Sequence, residues 1–267
     1  MNRKTTFFAL LAAALLASSC KSHYEVVSVE RSRILIDSRW DAQPDAQAAE
    51  FLKPYKHDVD SVLGPVMGHL ARNMTPHRPE SELSNLLPDI LMWAAKDYNE
   101  QPVFAVYNIG GIRNDLTRGE VTYGDILDIA PFENKIAFLT LSGADVLELF
   151  GQIAKRGGEG VSKAVHMEIT EDGQLLNATL NGEPIDPQKD YRLTTIDYLV
   201  GGNDQMTAFQ KGRNVNSPQA AKDNTRFIIM DYFKAMEAQG KVVDAQIEGR
   251  ICVVQKNYPV ENKLITR

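Results

Sequence analysis

The stretch FAVYNIGGIRNDLTRGEVTYGDILDIAPF, Phe104 to Phe132, decides how this 267-residue chain is read. Phe104 to Tyr107 is a short apolar run with the character of a buried strand, and Asn108-Ile109-Gly110-Gly111-Ile112-Arg113 follows it without a spacer. A strand brings the chain to a fixed point, paired glycines allow a tight turn and close approach to a ligand, and an arginine just beyond can meet a carboxylate or phosphate. Gly119 to Asp125 then predicts a second short strand running into a helix start, and Pro131-Phe132 closes the unit with an aromatic at a break. Taken without its neighbours, Asn108 to Arg113 also fits a plain strand-to-helix turn with a solvated arginine.

Outward from this unit, Tyr191-Arg192-Leu193-Thr194-Thr195-Ile196-Asp197-Tyr198-Leu199 and Gly201-Gly202-Asn203-Asp204-Gln205 form a further block. Together the blocks resemble the C-terminal, substrate-binding domain of the 5′-nucleotidase and UDP-sugar hydrolase family. Its pattern runs N-G-G-G-I-R, G-[ED]-[IV]-[TS]-[YW] and P-F-[GE]-N, then Y-R-[VL]-[AT]-T-x-[DN]-[YF]-L and G-G-D-G-[FY]. The resemblance covers roughly residues 82–254, and several blocks in one order are far more specific than a lone Gly-Gly. It implies an α/β fold, a layered α/β/β/α domain with mixed sheets, over residues 75–256. It also implies roles: Asn108 reading a base, Gly110 and Gly111 permitting close approach, Arg113 contacting phosphate or sugar, and Phe132 stacking on the base. The alternative for Phe132 is a core aromatic following Pro131. Arg78, ahead of a helix opening at Ser81, resembles an arginine that the family places on substrate, with solvated loop charge as the plainer reading. Ile109 stands in place of the family's first glycine and Glu133 in place of the glycine after Pro-Phe. Asn203, Asp204 and Gln205 replace Asp, Gly and a second aromatic, so one wall of a base-gripping sandwich is expected to be open unless Met206 or Phe209 fills it.

Composition narrows the function classes. With 43% hydrophobic and 24% charged residues the chain can bury an ordinary core. Its net charge of −6, from 29 basic and 35 acidic residues, repels nucleic-acid polymers and anionic membrane surfaces, so neither is the expected partner. At the N-terminus, Arg3 and Lys4 precede an apolar run, Phe7 to Leu16, too short to span a bilayer but suited to a secretory leader. The ending Leu16-Ala17-Ser18-Ser19-Cys20 resembles a bacterial lipobox. This implies a signal peptide over 1–19, acylation of Cys20 and a lipid-anchored protein of the bacterial cell envelope. Cys252, the remaining cysteine, lies in an apolar run and reads as a small buried hydrophobe.

Along the rest of the chain, residues 20–43 read as a tether with one or two strands from their alternating apolar positions. Residues 44–74 read as connector helices interrupted at Pro54 and at Gly64-Pro65. A helix opens at Ser81 with Pro88 placed in its first turn. Ser142 caps a helix through Ala154. Gly157, Gly158 and Gly160 read as a mobile loop. Strands follow at 164–170, 175–180 and 191–195, with turns at Asp172-Gly173 and Asn181-Gly182. A helix over 220–238, a strand over 246–254 and a tail at 257–267 complete the chain.

No hydrolytic set emerges from the residues. The family's chemistry lies in a separate metallophosphoesterase domain in which clustered Asp, His and Asn hold two metal ions; its D-x-H and G-N-H-[DE] blocks do not occur here. The five histidines, His23, His57, His69, His77 and His166, are scattered, and no G-x-S-x-G elbow or complete phosphate-binding loop is present. No cofactor is expected in this chain, and divalent metals are expected only on a separately encoded metallophosphoesterase partner. Three readings stay open at this point: a nucleotide-binding domain serving such a partner, a free-standing nucleoside- or nucleotide-binding lipoprotein, and a structural lipoprotein whose pocket has degenerated.

Overall fold

The computed structural model describes residues 25–35, 37–40 and 45–254. The leader, Cys20, His23 and the 257–267 tail lie outside them. The chain divides into two units, Met1–Leu52 and Lys53–Arg267. In the first, residues 25–35 are exposed and without regular structure. This corrects the strands expected there: alternating Val26, Val27, Val29, Ile34 and Leu35 stay open to solvent, and a strand is stable only with a partner to receive its backbone hydrogen bonds. A short 3-10 turn, Ser38–Trp40, follows, with Arg39 paired to Asp37 at 2.7 Å.

Helix α1, Ala46–Leu63, begins in the first unit and ends in the second, running through Pro54 without a stop. Asp45 accepts from the amides of Gln47 (2.9 Å) and Ala48 (3.1 Å), as an N-cap does. Gly64-Pro65 ends the helix, and Val66–Leu70 is a strand, β1, where the sequence had suggested helix through Met74. Val66, Met67 and Leu70 satisfy helical spacing by coincidence; antiparallel pairing with a later strand decides the matter.

In the second unit, α2 (Glu82–Ala94) is closed at its start by a reciprocal pair: Ser81 Oγ accepts from the Ser84 amide and Ser84 Oγ accepts from the Ser81 amide. Pro88 lies within the helix rather than in its first turn. Its missing N–H leaves the Ser84 carbonyl without an intrahelical donor. Gly160 packs directly on that carbonyl, so closely that a side chain there would come within 2.7 Å of it.

The remaining elements follow in order: β2 (Phe104–Tyr107), β3 (Gly119–Thr122), α3 (Tyr123–Ile129), β4 (Ile136–Ser142), α4 (Gly143–Lys155), β5 (Gly160–Val161), β6 (Val165–Thr170), β7 (Leu175–Leu180), β8 (Glu183–Pro184), β9 (Asp190–Ile196), α5 (Asp197–Val200), β10 (Arg213–Asn216), α6 (Thr225–Glu237) and β11 (Ile251–Val254). A five-stranded sheet has the order β10-β4-β9-β2-β5, a four-stranded sheet the order β11-β6-β7-β8, and β1 pairs with β3. Both larger sheets are mixed: β2 runs parallel to β9 and β11 parallel to β6, while their other pairings are antiparallel. This is the α/β fold with mixed sheets that the sequence implied. Helix α4 packs on strands of both larger sheets through Val146, Leu149, Phe150 and Ile153, all fully buried. Phe104 of β2 meets Phe150 edge-on, with ring centres 5.5 Å apart. Burying each such side chain contributes about 1.5–3 kcal/mol.

One consequence of this topology positions the site. Because β2 and β9 are parallel neighbours, their carboxyl ends emerge at the same edge of the sheet. Because β4 is antiparallel to β9, with Ile136 opposite Ile196, the segment entering β4 arrives there too. Tyr107 at the end of β2 lies opposite Gly160 of β5, which adds the loop after α4. Four segments distant in sequence therefore converge at one edge, the side of an α/β sheet where ligands commonly bind.

Candidate functional site

A cavity of about 300 Å³ opens at this convergence, lined by Asn108, Gly110, Gly111, Arg113, Phe132, Asn134, Tyr198 and Asp204. The volume lies at the small end of the range of ligand pockets. Six of the residues singled out in the sequence come together in it; Asn203 and Arg78 do not line it, and Asn134 and Tyr198 were not foreseen.

Beyond β2 the chain makes a 3-10 turn over Ile109–Gly111. Neither glycine of the pair has a positive φ, so their value is space. A side chain at Gly111 would come 2.7 Å from Asn108 Oδ1, whereas one at Gly110 would meet nothing nearer than Asp204 Oδ2 at 3.9 Å. Gly111 thus makes room for the Asn108 amide, and Gly110 keeps the cavity open. Asn108 is only 4% exposed. Its Nδ2 donates to Asp204 Oδ2 at 2.7 Å, and its Oδ1 is buried with no partner among the described residues. Arg113 is exposed; its amide donates to the Ile129 carbonyl and Nη1 donates to the Gly110 carbonyl at 3.2 Å. Among the described residues it makes no ion pair.

The second and third walls come from the other segments. Phe132 is 47% exposed, which removes the core-aromatic alternative. The turn carrying it is held by Arg226 of α6, which donates to the carbonyls of Ala130 (3.1 Å) and Pro131 (2.7 Å). Tyr198, at 39% exposure, stands on α5, directly after β9. Its hydroxyl donates to Asp204 Oδ1 at 3.3 Å, and its carbonyl accepts from Asn203 Nδ2 at 2.6 Å. Partial burial, then the neighbouring Asp204 charge, pushes the Tyr198 hydroxyl above its ordinary pKa, so the phenol stays protonated at neutral pH. Asn203 is therefore a support for Tyr198. Met206 and Phe209 are fully buried in the core and cannot supply an aromatic wall. Tyr198 was legible as part of the second block, but nothing local in sequence turns it toward Phe132's segment.

Arg78 is also placed differently from expectation. Its guanidinium bonds the Gly158 carbonyl (2.8 Å) and the carboxylate of Glu159. Glu159 is 1% exposed. Its Oε1 also accepts from Arg156 Nε at 2.5 Å, and its Oε2 from the Ile109 amide at 2.6 Å. A buried carboxylate with this set of donors is charge-compensated and hydrogen-bonded, the condition for burying one at all. Arg156 Nη2 lies 3.8 Å from Asp204 Oδ2, linking this cluster to the cavity. The Gly-Gly-Glu-Gly loop, expected to be mobile, is packed: a side chain at Gly158 would come within 2.4 Å of the Pro79 carbonyl. Its glycines, which suggested freedom in the sequence, instead serve packing and turn geometry: Gly158 and Gly160 allow close approach, and Gly157 and Gly158 take up positive φ angles of 76° and 110°.

Among the described residues no group of three or more His, Cys, Asp or Glu side chains could hold a metal ion. The carboxylates of Asp204 and Glu159 are engaged by arginines, amides and a phenol. His69 bonds Glu237 (2.9 Å) and His166 bonds the Gly249 carbonyl (2.8 Å), both away from the cavity lining. Cys252 is half-buried in β11, its thiol against the Gly249 carbonyl at 3.4 Å.

Residues 65–211 match the family model described as "5′-nucleotidase, C-terminal domain". The cell wall protein Lmo0130 of Listeria monocytogenes is 28% identical over 255 residues, covering 86% of this chain and 32% of that protein. Protein UshA of Yersinia enterocolitica is 29% identical over 167 residues, covering 60% of this chain and 30% of the relative. This chain thus spans about a third of the length of these curated relatives. Among solved structures, a 5′-nucleotidase precursor from Thermus thermophilus superposes with a TM-score of 0.67 at 23% identity, over 82% of this chain and 45% of the other.

Proposed function

Starting from the premise that this chain belongs to the 5′-nucleotidase C-terminal-domain family, we propose that it binds a nucleotide or nucleoside and presents it to a separately encoded metallophosphoesterase in nucleotide catabolism. The observation that carries this reading is the meeting of two exposed rings, Phe132 and Tyr198, around one cavity with Arg113, which has no carboxylate partner among the described residues. A ring of each kind suits the faces of a base, worth about 1–3 kcal/mol per stacked base, and Arg113 suits a phosphate or sugar oxygen. Phosphate-ester cleavage would be supplied by metals on the partner; this chain's share is binding and orientation, which converts into rate when the phosphate is held in line. The test is to add purified chain to such a metallophosphoesterase and measure hydrolysis of AMP and UDP-glucose. Increased rate or lowered KM is expected; no change with either substrate overturns the partner role.

A second reading, a free-standing nucleoside- or nucleotide-binding protein, is favoured by one observation: the buried Asn108 Oδ1, which has no partner among the described residues, belongs to a residue lining the cavity and would be satisfied by a ligand donor. It predicts a raised Tm with AMP or adenosine and no partner added, and a flat response rules it out. The third reading, a degenerate pocket, is disfavoured by an open cavity that retains Arg113 and two rings. For location, we propose a cell-envelope protein anchored through acylated Cys20, in keeping with the lipobox-like ending and with a relative named as a cell wall protein. Cys20→Ser should move the protein from the detergent phase to the aqueous phase; unchanged partition overturns the anchor.

A further inference from the structure

The polar groups of the cavity are unevenly divided. At the Asp204 end, two donors are already turned onto the carboxylate: one N–H of Asn108 Nδ2 bonds Asp204 Oδ2 and the Tyr198 hydroxyl bonds Oδ1. Beside the second Asn108 Nδ2 hydrogen, what remains there is acceptors. An ionised carboxylate has about four lone-pair sites, and two of Asp204's are taken by these contacts. The phenol oxygen retains its lone pairs, and Asn108 Oδ1 is an orphan acceptor in a residue that is nine-tenths buried and lines the cavity. Turning the Asn108 amide over would set its oxygen against the Asp204 carboxylate, so the observed orientation is held. The charged donor among the lining side chains is the Arg113 guanidinium, whose one bond among the described residues is to the Gly110 carbonyl, and the neutral Asn134 amide lines the cavity as well. Arg156, 3.8 Å from Asp204, offsets the carboxylate's charge and is not itself a lining residue.

A buried or half-buried acceptor left unpaired costs binding, so a ligand entering this end must bring donors, and on a base these are N–H groups. Resting on the nucleotide reading above, we infer that the segment Asn203-Asp204 makes this a donor-reading base pocket, with Tyr198 as one wall, that selects guanine over bases with a single ring N–H or none. Guanine carries N1–H and the 2-amino group side by side on one edge, two parallel donors that fit one carboxylate. Hypoxanthine keeps N1–H but lacks the amino group, and adenine presents a lone amino group beside a ring acceptor. The segment that departs most from the family pattern is, on this account, the one that sets specificity: Asn203 fixes the backbone of Tyr198, and Asp204 fixes its hydroxyl and reads the base.

The experiment is titration calorimetry of the full chain with GMP, IMP and AMP, repeated with Asp204→Asn and Tyr198→Leu. Asparagine tolerates the left-handed backbone at position 204, where φ is 54°, and can still accept from Asn108. For the native chain, GMP should bind about tenfold or more tighter than IMP or AMP. Asp204→Asn should erase that preference, because its amide nitrogen opposes the 2-amino group. Tyr198→Leu should weaken all three ligands by a similar factor and leave the preference in place. Equal binding of GMP and IMP by the native chain, or a preference that survives Asp204→Asn, overturns this inference and leaves nucleotide binding standing. Failure of the native chain to bind any of the three overturns the nucleotide reading itself, and this inference with it.

Discussion

At Gly111 a single added methyl group would come 2.7 Å from Asn108 Oδ1, so Gly111→Ala must either displace Asn108 or shift the turn. Overpacking of this kind costs about 1–3 kcal/mol, and urea unfolding should show a loss in that range, whereas Gly110→Ala, facing open cavity, should cost far less stability. Glu159 presents the opposite case, a missing partner rather than an extra atom. Glu159→Ala would strand the Arg78 and Arg156 guanidiniums and the Ile109 amide, and breaking a buried pair on one side costs about 3–5 kcal/mol. Since Arg78 is one-third exposed and water can reach it, the lower end of that range is expected in denaturant melts. At Arg113, replacement by Ala should weaken AMP by about tenfold or more while changing adenosine little, because a charge-assisted bond to phosphate is worth about 1.5–3 kcal/mol. Calorimetric titration of the two ligands separates these outcomes. The sequence exposed Asn108, Gly110, Gly111 and Arg113 because they are contiguous; it hid Glu159 because a carboxylate between glycines looks solvated until the arginines that reach it are known.

Between elements, β1 and α6 are tied by His69 and Glu237 at 2.9 Å. The bond to Glu237, then its charge, raises the His69 pKa above its ordinary 6.5. Protonated histidine is therefore favoured in the folded state: the contribution is fully present below pH 6.5 and is lost as pH rises through the raised value. Thermal melts from pH 5.5 to 8 should show His69→Gln losing relative stability at the acid end and matching the native chain at the alkaline end. Helix α4 depends on Ser142, whose Oγ accepts from the Asp145 amide at 3.2 Å. Ser142→Ala should cost about 1 kcal/mol by urea unfolding. These elements were readable from caps and periodicity. Val66–Leu70 was not, because five residues with apolar positions one, two and five fit either period; what settles them as strand is β3, more than forty residues later in the chain.

For the whole molecule, the decisive fact is convergence. The cavity draws on residues that follow β2, precede β4 and follow β9, and no local signal states that these lie together. The stretch 25–35 is exposed along its length, so excising residues 25–35 should change Tm by no more than about 2 °C; a larger fall by scanning fluorimetry would show that this segment supports the fold. By itself the sequence determined the family, the mixed α/β class and most of the polar residues of the site, because motif order and strand, turn and cap chemistry are encoded in neighbouring positions. Only the tertiary structure decided that Tyr198 and Phe132 line one cavity, that Arg78 serves Glu159, and that Asn203 braces a ring. Those facts depend on parallel pairing of β2 with β9 and antiparallel pairing of β4 with β9, and strand order is set by burial of the whole sheet, not by any short run of residues.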